Sequence, residues 1–333
     1  MRMKKFLVFI ISAIIFASFS ACKQSPESNS SSNSITVSNP ITSISTSFDN
    51  QTLLLGEVKT LEISSFPLDN DDCLSISVAD DSIISLSESN TYNKIIKALK
   101  PGETSIILSN KTESLKKIIN IRVIDSILNS TAFLSSLTES WNKFMVTVDC
   151  DYYDSPNGKY QDVCKAFGTI IAIKNGICYC LTDNYIFSQD QIGSYKEGAI
   201  LTNHAIYPVL NLYSDENSRL AICAFKPNNV SDYESVTIQK NVFIGDYALS
   251  PSFPSELTRV KAIEKRCYNT NAPVEIFFCN HTKLPSEKAY PIFNQNRELI
   301  GICLNNSLNV VNAISGYEIS RVFSEMSKQL VLD

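Results

Sequence analysis

Apolar residues recur along this chain with two periods, and the change of period divides it. Beyond residue 40 they come at every second position in short bursts. VKTLEIS (58–64) sets Lys59, Leu61 and Ile63 against Val58, Thr60 and Glu62. LSISVADDSIISLS (74–87) reads as two strands around Asp80-Asp81, and KIIKALKPGETSIILS (94–109) as two more around a Pro101-Gly102 turn, with Ile106 and Leu108 alternating after it. Short strands at turn-separated intervals predict a β-sandwich over 41–125. Over 126–144 the period lengthens, and Phe133, Leu137, Trp141 and Phe144 fall on one helical face, which predicts a linker helix. From Met145 the period is again two. MVTVD, GTIIAI, ICYCL, YPVLNLY, LAICAF, NVFIG, VEIFF, ELIGICL and LNVVNAI are strand candidates, enough to predict a double β-barrel over 145–333. GYEISRVFSEMSKQLVL carries Ile319, Val322, Phe323 and Met326 at helical spacing and predicts a C-terminal helix. The fold class expected is therefore all-β.

The first 22 residues have a different character. Arg2, Lys4 and Lys5 precede an apolar run, Phe6 to Phe16, that is short for a membrane span, and small residues follow up to Phe19-Ser20-Ala21-Cys22. This resembles a bacterial lipoprotein signal, with Phe19 where leucine is usual. The resemblance implies a lipidated Cys22 as the new N-terminus and the membrane as a partner. A plain secretory signal cut near Ala21 is the other reading, and both imply export to the cell envelope. Residues 23–40 are rich in Ser and Asn and too poor in apolar groups to fold, so they read as a tether.

Composition narrows the function classes. The chain is 44% hydrophobic and 19% charged, ordinary globular material. A net charge of -5, without a basic run after the first residues, argues against a nucleic-acid partner. There are 10 cysteines. Export permits disulfides, and Cys150 with Cys164 across a polar loop is a candidate pair, although connectivity stays open. Cys178, Cys180, Cys223 and Cys303 sit in apolar runs, where buried thiols are common. Cys178-x-Cys180 with only 2 histidines in the chain is no zinc motif, and no metal or cofactor is expected.

Two further resemblances organise the rest. ITSIST at the start, the Leu54-Leu55-Gly56-Glu57 turn and Ala98-Leu99-Lys100-Pro101-Gly102 followed by Thr104 and Ile106 resemble the group 2 bacterial immunoglobulin-like domain, with Ile76 where that family has tryptophan. The resemblance implies a spacer or an adhesion module, and no polar cluster in this stretch suggests a ligand of its own. Residues 145–330 resemble the trypsin-like serine peptidases. Gly168 to Ile173 with Asn175-Gly176, Asp215 to Ile222, Ile244 to Tyr247, Pro291 to Ile302 and Asn309 to Ile314 fall in that family's order.

The same resemblance marks where a triad belongs. Acyl transfer needs a serine, a histidine to take its proton and an aspartate to hold that histidine. The histidine position falls on Tyr185 in Leu181-Thr182-Asp183-Asn184-Tyr185-Ile186, the aspartate position on Arg219, and the serine position on Lys288. A phenol with a pKa near ~10 is a poor base, and a guanidinium repels an imidazolium. The oxyanion-loop glycines correspond to Ser286, Ala289 and Tyr290, which tolerate a left-handed backbone poorly. His204 lies too close to Arg219 in sequence to replace the lost histidine, and Cys279-Asn280-His281 is no ready dyad. Ser286, with Lys288 two residues on, is the relocated nucleophile that an active serine endopeptidase would need. The reading expected is an envelope lipoprotein with an inactive trypsin-like domain that binds a protein or peptide. The alternatives are that endopeptidase, or a structural envelope protein or adhesin working through its immunoglobulin-like domain.

Overall fold

The structure is a computed structural model that describes residues 41–67, 74–89, 92–125, 130–155, 158–188, 195–250, 258–267, 272–280, 289–307 and 310–329. Cys22, the tether, Ser286 and Lys288 lie outside the described residues. All the described residues belong to one compact unit.

Eight strands form the first layer pair: β1 (Ser43–Thr46), β2 (Asn50–Leu54), β3 (Val58–Phe66), β4 (Ser75–Val78), β5 (Ile84–Glu88), β6 (Asn93–Ala98), β7 (Gly102–Ser109) and β8 (Lys116–Ile124). They make two four-stranded sheets, β1-β3-β6-β5 and β2-β8-β7-β4. One apolar core, with Leu53, Leu61, Ile84, Ile96, Ile106, Leu108, Ile119 and Ile121 fully buried, lies between them. This is the β-sandwich that the period of two predicts, because alternation puts every second residue on the shared face.

A helix, α1 (Ser130–Phe144), follows, then β9 (Met145–Tyr153), β10 (Tyr160–Lys174), β11 (Ile177–Asp183), β12 (Tyr195–Leu201), β13 (Ile206–Pro208), β14 (Asn211–Asp215) and β15 (Leu220–Phe225). Hydrogen-bonded neighbours run β13-β12-β9-β10-β11-β15-β14. The two ends of that list are one bent strand. β13 pairs with β12, and then Val209 N–H donates to the Gly198 carbonyl (3.0 Å) while Leu210 N–H donates to Ala224 (2.8 Å) as β14 joins β15. The sheet therefore closes into a barrel. Asn175 and Gly176, at φ 51° and 74°, make the two-residue turn between β10 and β11 that a right-handed twist favours.

The second barrel uses β16 (Tyr247–Ala248), β17 (Thr258–Arg266), β18 (Val274–Asn280), β19 (Tyr290–Phe293), β20 (Leu299–Ser307) and β21 (Val310–Ser315), and α2 (Gly316–Gln329) ends the chain. Its order, β16-β17-β18-β21-β20-β19, repeats the connectivity of the first barrel, and Leu249 and Phe293 close it with two backbone hydrogen bonds of 2.8 and 2.7 Å. The protein is all-β in its sheets, a sandwich followed by a double barrel and a C-terminal helix. α1 is held through Leu137, Trp141 and Phe144 of the predicted face, and the Phe133 side chain lies outside the described residues. Leu137 and Phe144 are buried, Trp141 meets Phe167 of the first barrel edge-on at 5.7 Å, and Phe144 meets Phe293 of the second at 5.6 Å.

Two expectations needed correction, and one strand went unread. NVFIG (241–245) is not a barrel strand: its backbone serves the sandwich, with Thr52 N–H donating to the Ile244 carbonyl (2.6 Å) beside a parallel bridge from Gln51. YPVLNLY breaks at Val209-Leu210 into β13 and β14, because one chain segment pairs with two neighbours. β17 (TRVKAIEKR) carries too few apolar residues to read as a strand, since most of its outer half faces solvent.

The thiols follow their strands. Cys150, Cys178, Cys180, Cys223, Cys279 and Cys303 are buried, Cys164 is half-buried and Cys267 is exposed. Burial pushes Cys150 and Cys178 up to about 11, and Cys279 to about 12, so little of the reactive thiolate exists at neutral pH. With the chain reduced, iodoacetamide at pH 7 is expected to modify Cys267 first among the described thiols, and the six buried ones only after unfolding, as peptide mass spectrometry would read. Early labelling of Cys180 or Cys279 would contradict this packing.

The sandwich is joined to the barrels by a buried polar lock. Across the β2-β8-β7 sheet, Thr52 faces Arg122 and Arg122 faces Glu103. Asp246, fully buried in the turn that ends the segment crossing from the first barrel to the second (residues 226–246), accepts from Arg122 Nη1 at both oxygens (3.0 and 2.8 Å), from Thr52 Oγ1 (2.5 Å) and from Phe243 N–H (2.9 Å). Arg122 also stacks on the Phe243 ring at 4.3 Å and donates through Nε to Glu103 (2.7 Å). Arg259 of β17 donates to the Gly245 carbonyl (2.5 Å) and to the Thr52 carbonyl (3.1 Å).

Candidate functional site

Strand β11 ends on Asp183, which is fully buried and in register with Leu220 of β15. At φ -83° and ψ 124° its backbone is still extended. Its carboxylate then accepts the Tyr185 N–H (2.9 Å), which caps a 3-10 turn over Asn184–Phe187. That turn lifts Tyr185 to the rim, where it is 42% exposed.

The opposite side of the site comes from the hairpin between β14 and β15. Asp215 Oδ2 accepts from the Ser218 N–H (3.1 Å) and hydroxyl (2.5 Å), which shapes a tight loop and leaves Arg219 at φ 61°. In that left-handed conformation the Arg219 side chain reaches back over the sheet. Its Nη2 lies 3.1 Å from Asp183 Oδ2 and 3.4 Å from Oδ1, its carbonyl accepts the Asn184 N–H (2.8 Å), and its guanidinium carbon stands 5.8 Å from the Tyr185 ring centroid. Ser214 adds a hydroxyl bond to Asn184 Oδ1 (2.8 Å).

Two positions 34 residues apart, assigned from sequence to the base and the carboxylate of a triad, thus meet at one rim as Tyr185 and Arg219. Asp183 was not expected as a partner, although its place two residues before Tyr185 at a strand end is a cap position legible in principle. The arrangement suits holding better than proton transfer: the carboxylate is tied to a guanidinium and a backbone N–H, and a phenol lies beside the cation.

Ala289 carries the strain that its residue type implies. It stands where the sequence resemblance puts a loop glycine, is fully buried and has φ 60°, so the left-handed backbone is present without glycine. That conformation costs a non-glycine residue about 1–2 kcal/mol, and burial of its methyl in the barrel core offsets part of it. The next residue, Tyr290, is fully buried, and burial drives its phenol far above the ordinary range. His204 sits exposed in the β12–β13 hairpin, edge-on to Tyr233 at 6.2 Å. Cys150 and Cys164 lie directly opposite one another on β9 and β10, both as thiols.

Behind the hairpin, Arg321 of α2 donates to Asp215 Oδ2 (2.8 Å), Glu318 (2.7 Å) and Glu325 (3.0 Å). Burial raises the Asp215 carboxyl pKa, but bonds from Ser218 and Arg321 outweigh it and hold the group below its ordinary value of 3.8. A depressed folded pKa gives stability that is present above the unfolded value and lost as pH falls through the folded one. The wild-type chain is therefore expected to lose melting temperature below about pH 4. Asp215→Asn should lie lower at pH 7 and show a shallower fall in acid; parallel curves for the two proteins would refute the assignment.

No family profile matches the chain, and no curated protein matches it. Among solved structures, the active form of the Rv3671c protease from M. tuberculosis overlaps 58% of this chain and 85% of its own, at 9% identity and a TM-score of 0.42. An inactive form of the same protease overlaps 60% and 96%, at 7% identity and a TM-score of 0.42. This chain is similar to them at that level only.

Proposed function

We propose that residues 145–333 are a trypsin-like domain without peptidase chemistry, serving on a bacterial envelope as a protein- or peptide-binding module. The observation that carries this reading is the Arg219–Asp183 pair beside Tyr185: a cation tied to a buried carboxylate occupies the corner where the resemblance places an imidazole and its aspartate. A guanidinium there opposes the positive charge that a general base must develop. In the same reading Cys22 anchors the chain to lipid and 23–40 holds the body clear of the surface. In the same reading the oxidising setting joins Cys150 and Cys164, opposite one another on β9 and β10, in a disulfide; loss of iodoacetamide labelling at Cys164, restored by reductant, is the expected sign.

The full chain is expected to give no turnover of fluorogenic peptides and no labelling by a fluorophosphonate, while retaining members of a peptide library. Labelling of Ser286 that is lost in Ser286→Ala would overturn the reading in favour of a relocated endopeptidase. Cys22→Ala is expected to move the protein from the membrane fraction to the soluble fraction.

A further inference from the structure

Where the sandwich meets the second barrel, a cleft of about 500 Å³ opens. Small-ligand sites of about 300–1,000 Å³ favour such junctions. Its floor is a single row of side chains across the sheet: Asn50 on β2 faces Asn120 on β8, and Asn120 faces Ser105 on β7. The adjacent row is Thr52, Arg122 and Glu103, two of which bind Asp246 directly, so the floor is rigidly placed. The facing wall is Lys240 of the crossing segment, Glu275 at the start of β18 and Tyr317 in the first turn of α2.

Asn120 donates to Asn50 Oδ1 (2.9 Å), which leaves the Asn50 amino group and the Asn120 carbonyl with bonding capacity toward the cleft. The side chains of Ser105, Lys240 and Tyr317 have no hydrogen-bond partner among the described residues, and Tyr317 is 53% exposed. Groups that donate and accept in one row complement hydroxyls, which do both. An exposed aromatic ring opposite supplies a face on which an apolar sugar face can lie.

A peptide fits worse. The β2 edge at Gln51 and Thr52 is already paired with Ile244, so a strand cannot be added there. The apolar groups on the wall are committed, Phe243 to Arg122 and Val242 to the barrel core. Three carboxylates, Asp80, Glu103 and Glu275, face one ammonium, Lys240, and so repel acidic glycans.

We propose that this cleft binds a neutral or amine-bearing oligosaccharide, independently of what the barrels do. Calorimetric titration of the full chain with cellotriose, a chitosan trimer, a sulfated heparin hexasaccharide and a randomised peptide pool tests it. The expected result is Tyr317-dependent binding of cellotriose or the chitosan trimer, no binding of the sulfated sugar, and no Tyr317-dependent heat from the peptide pool. Tyr317→Ala, on an exposed side chain, and Ser105→Phe, which fills the floor, should each weaken it at least tenfold with the melting temperature unchanged. Absence of binding by both uncharged and amine-bearing sugars overturns the proposal. So does preference for the sulfated sugar, Tyr317-dependent binding of peptides alone, or full affinity in a folded Tyr317→Ala protein.

Discussion

Replacing Asp246 with alanine is expected to cost the chain about 3–5 kcal/mol, because it strands a buried guanidinium. Arg122 keeps Glu103, but that carboxylate is largely solvent-exposed (64%) and screened, whereas Asp246 is fully buried. The loss also leaves the Thr52 hydroxyl and the Phe243 N–H without their acceptor. A lower urea midpoint with an unchanged slope is the expected reading. A loss under about 1 kcal/mol would mean that the lock behaves like a surface pair. The same physics predicts that 145–333 produced alone is less stable than it is within the whole chain, since its Asp246 would then lack both sandwich partners.

Gly245→Ala should also destabilise the junction strongly. Gly245 sits at φ 94°, where any side chain is strained, and an added Cβ would come within 2.3 Å of the Thr52 carbonyl oxygen. Gly56 is the internal control, with φ 82° and nothing within 4 Å of its added Cβ. Alanine at Gly56 is expected to cost the backbone strain alone, about 1–2 kcal/mol. Alanine at Gly245 should cost that and more, because a backbone carbonyl of the sandwich must give way. Equal losses by denaturant titration would show that the crossing turn can move off β2 freely.

Much of the fold was legible because burial on one face writes a period of two into the chain. Ile106 and Leu108, or Leu61 and Ile63, could be placed on a core before any contact was known. β17 escaped because its outer positions are charged, and NVFIG misled because an apolar run records burial without naming the partner. In the candidate site, the residue types at 185 and 219 were readable and their convergence was not. That convergence depends on the φ of Arg219 and on the Asp215–Ser218 bonds that set it, which no alternation encodes.

The sequence alone determined the all-β class, the order of sandwich, helix, barrels and terminal helix, and the absence of histidine and aspartate where the resemblance calls for them. Those follow from local spacing and residue identity. Only the tertiary structure decided that Asp183 pairs with Arg219 and that Asp246 locks the sandwich to the barrels. The sandwich stretch showed no polar cluster by itself, yet Asn50, Asn120 and Ser105 stand in one row opposite Tyr317. They do so because strand pairing and domain contact bring together residues up to 267 positions apart, as from Asn50 to Tyr317.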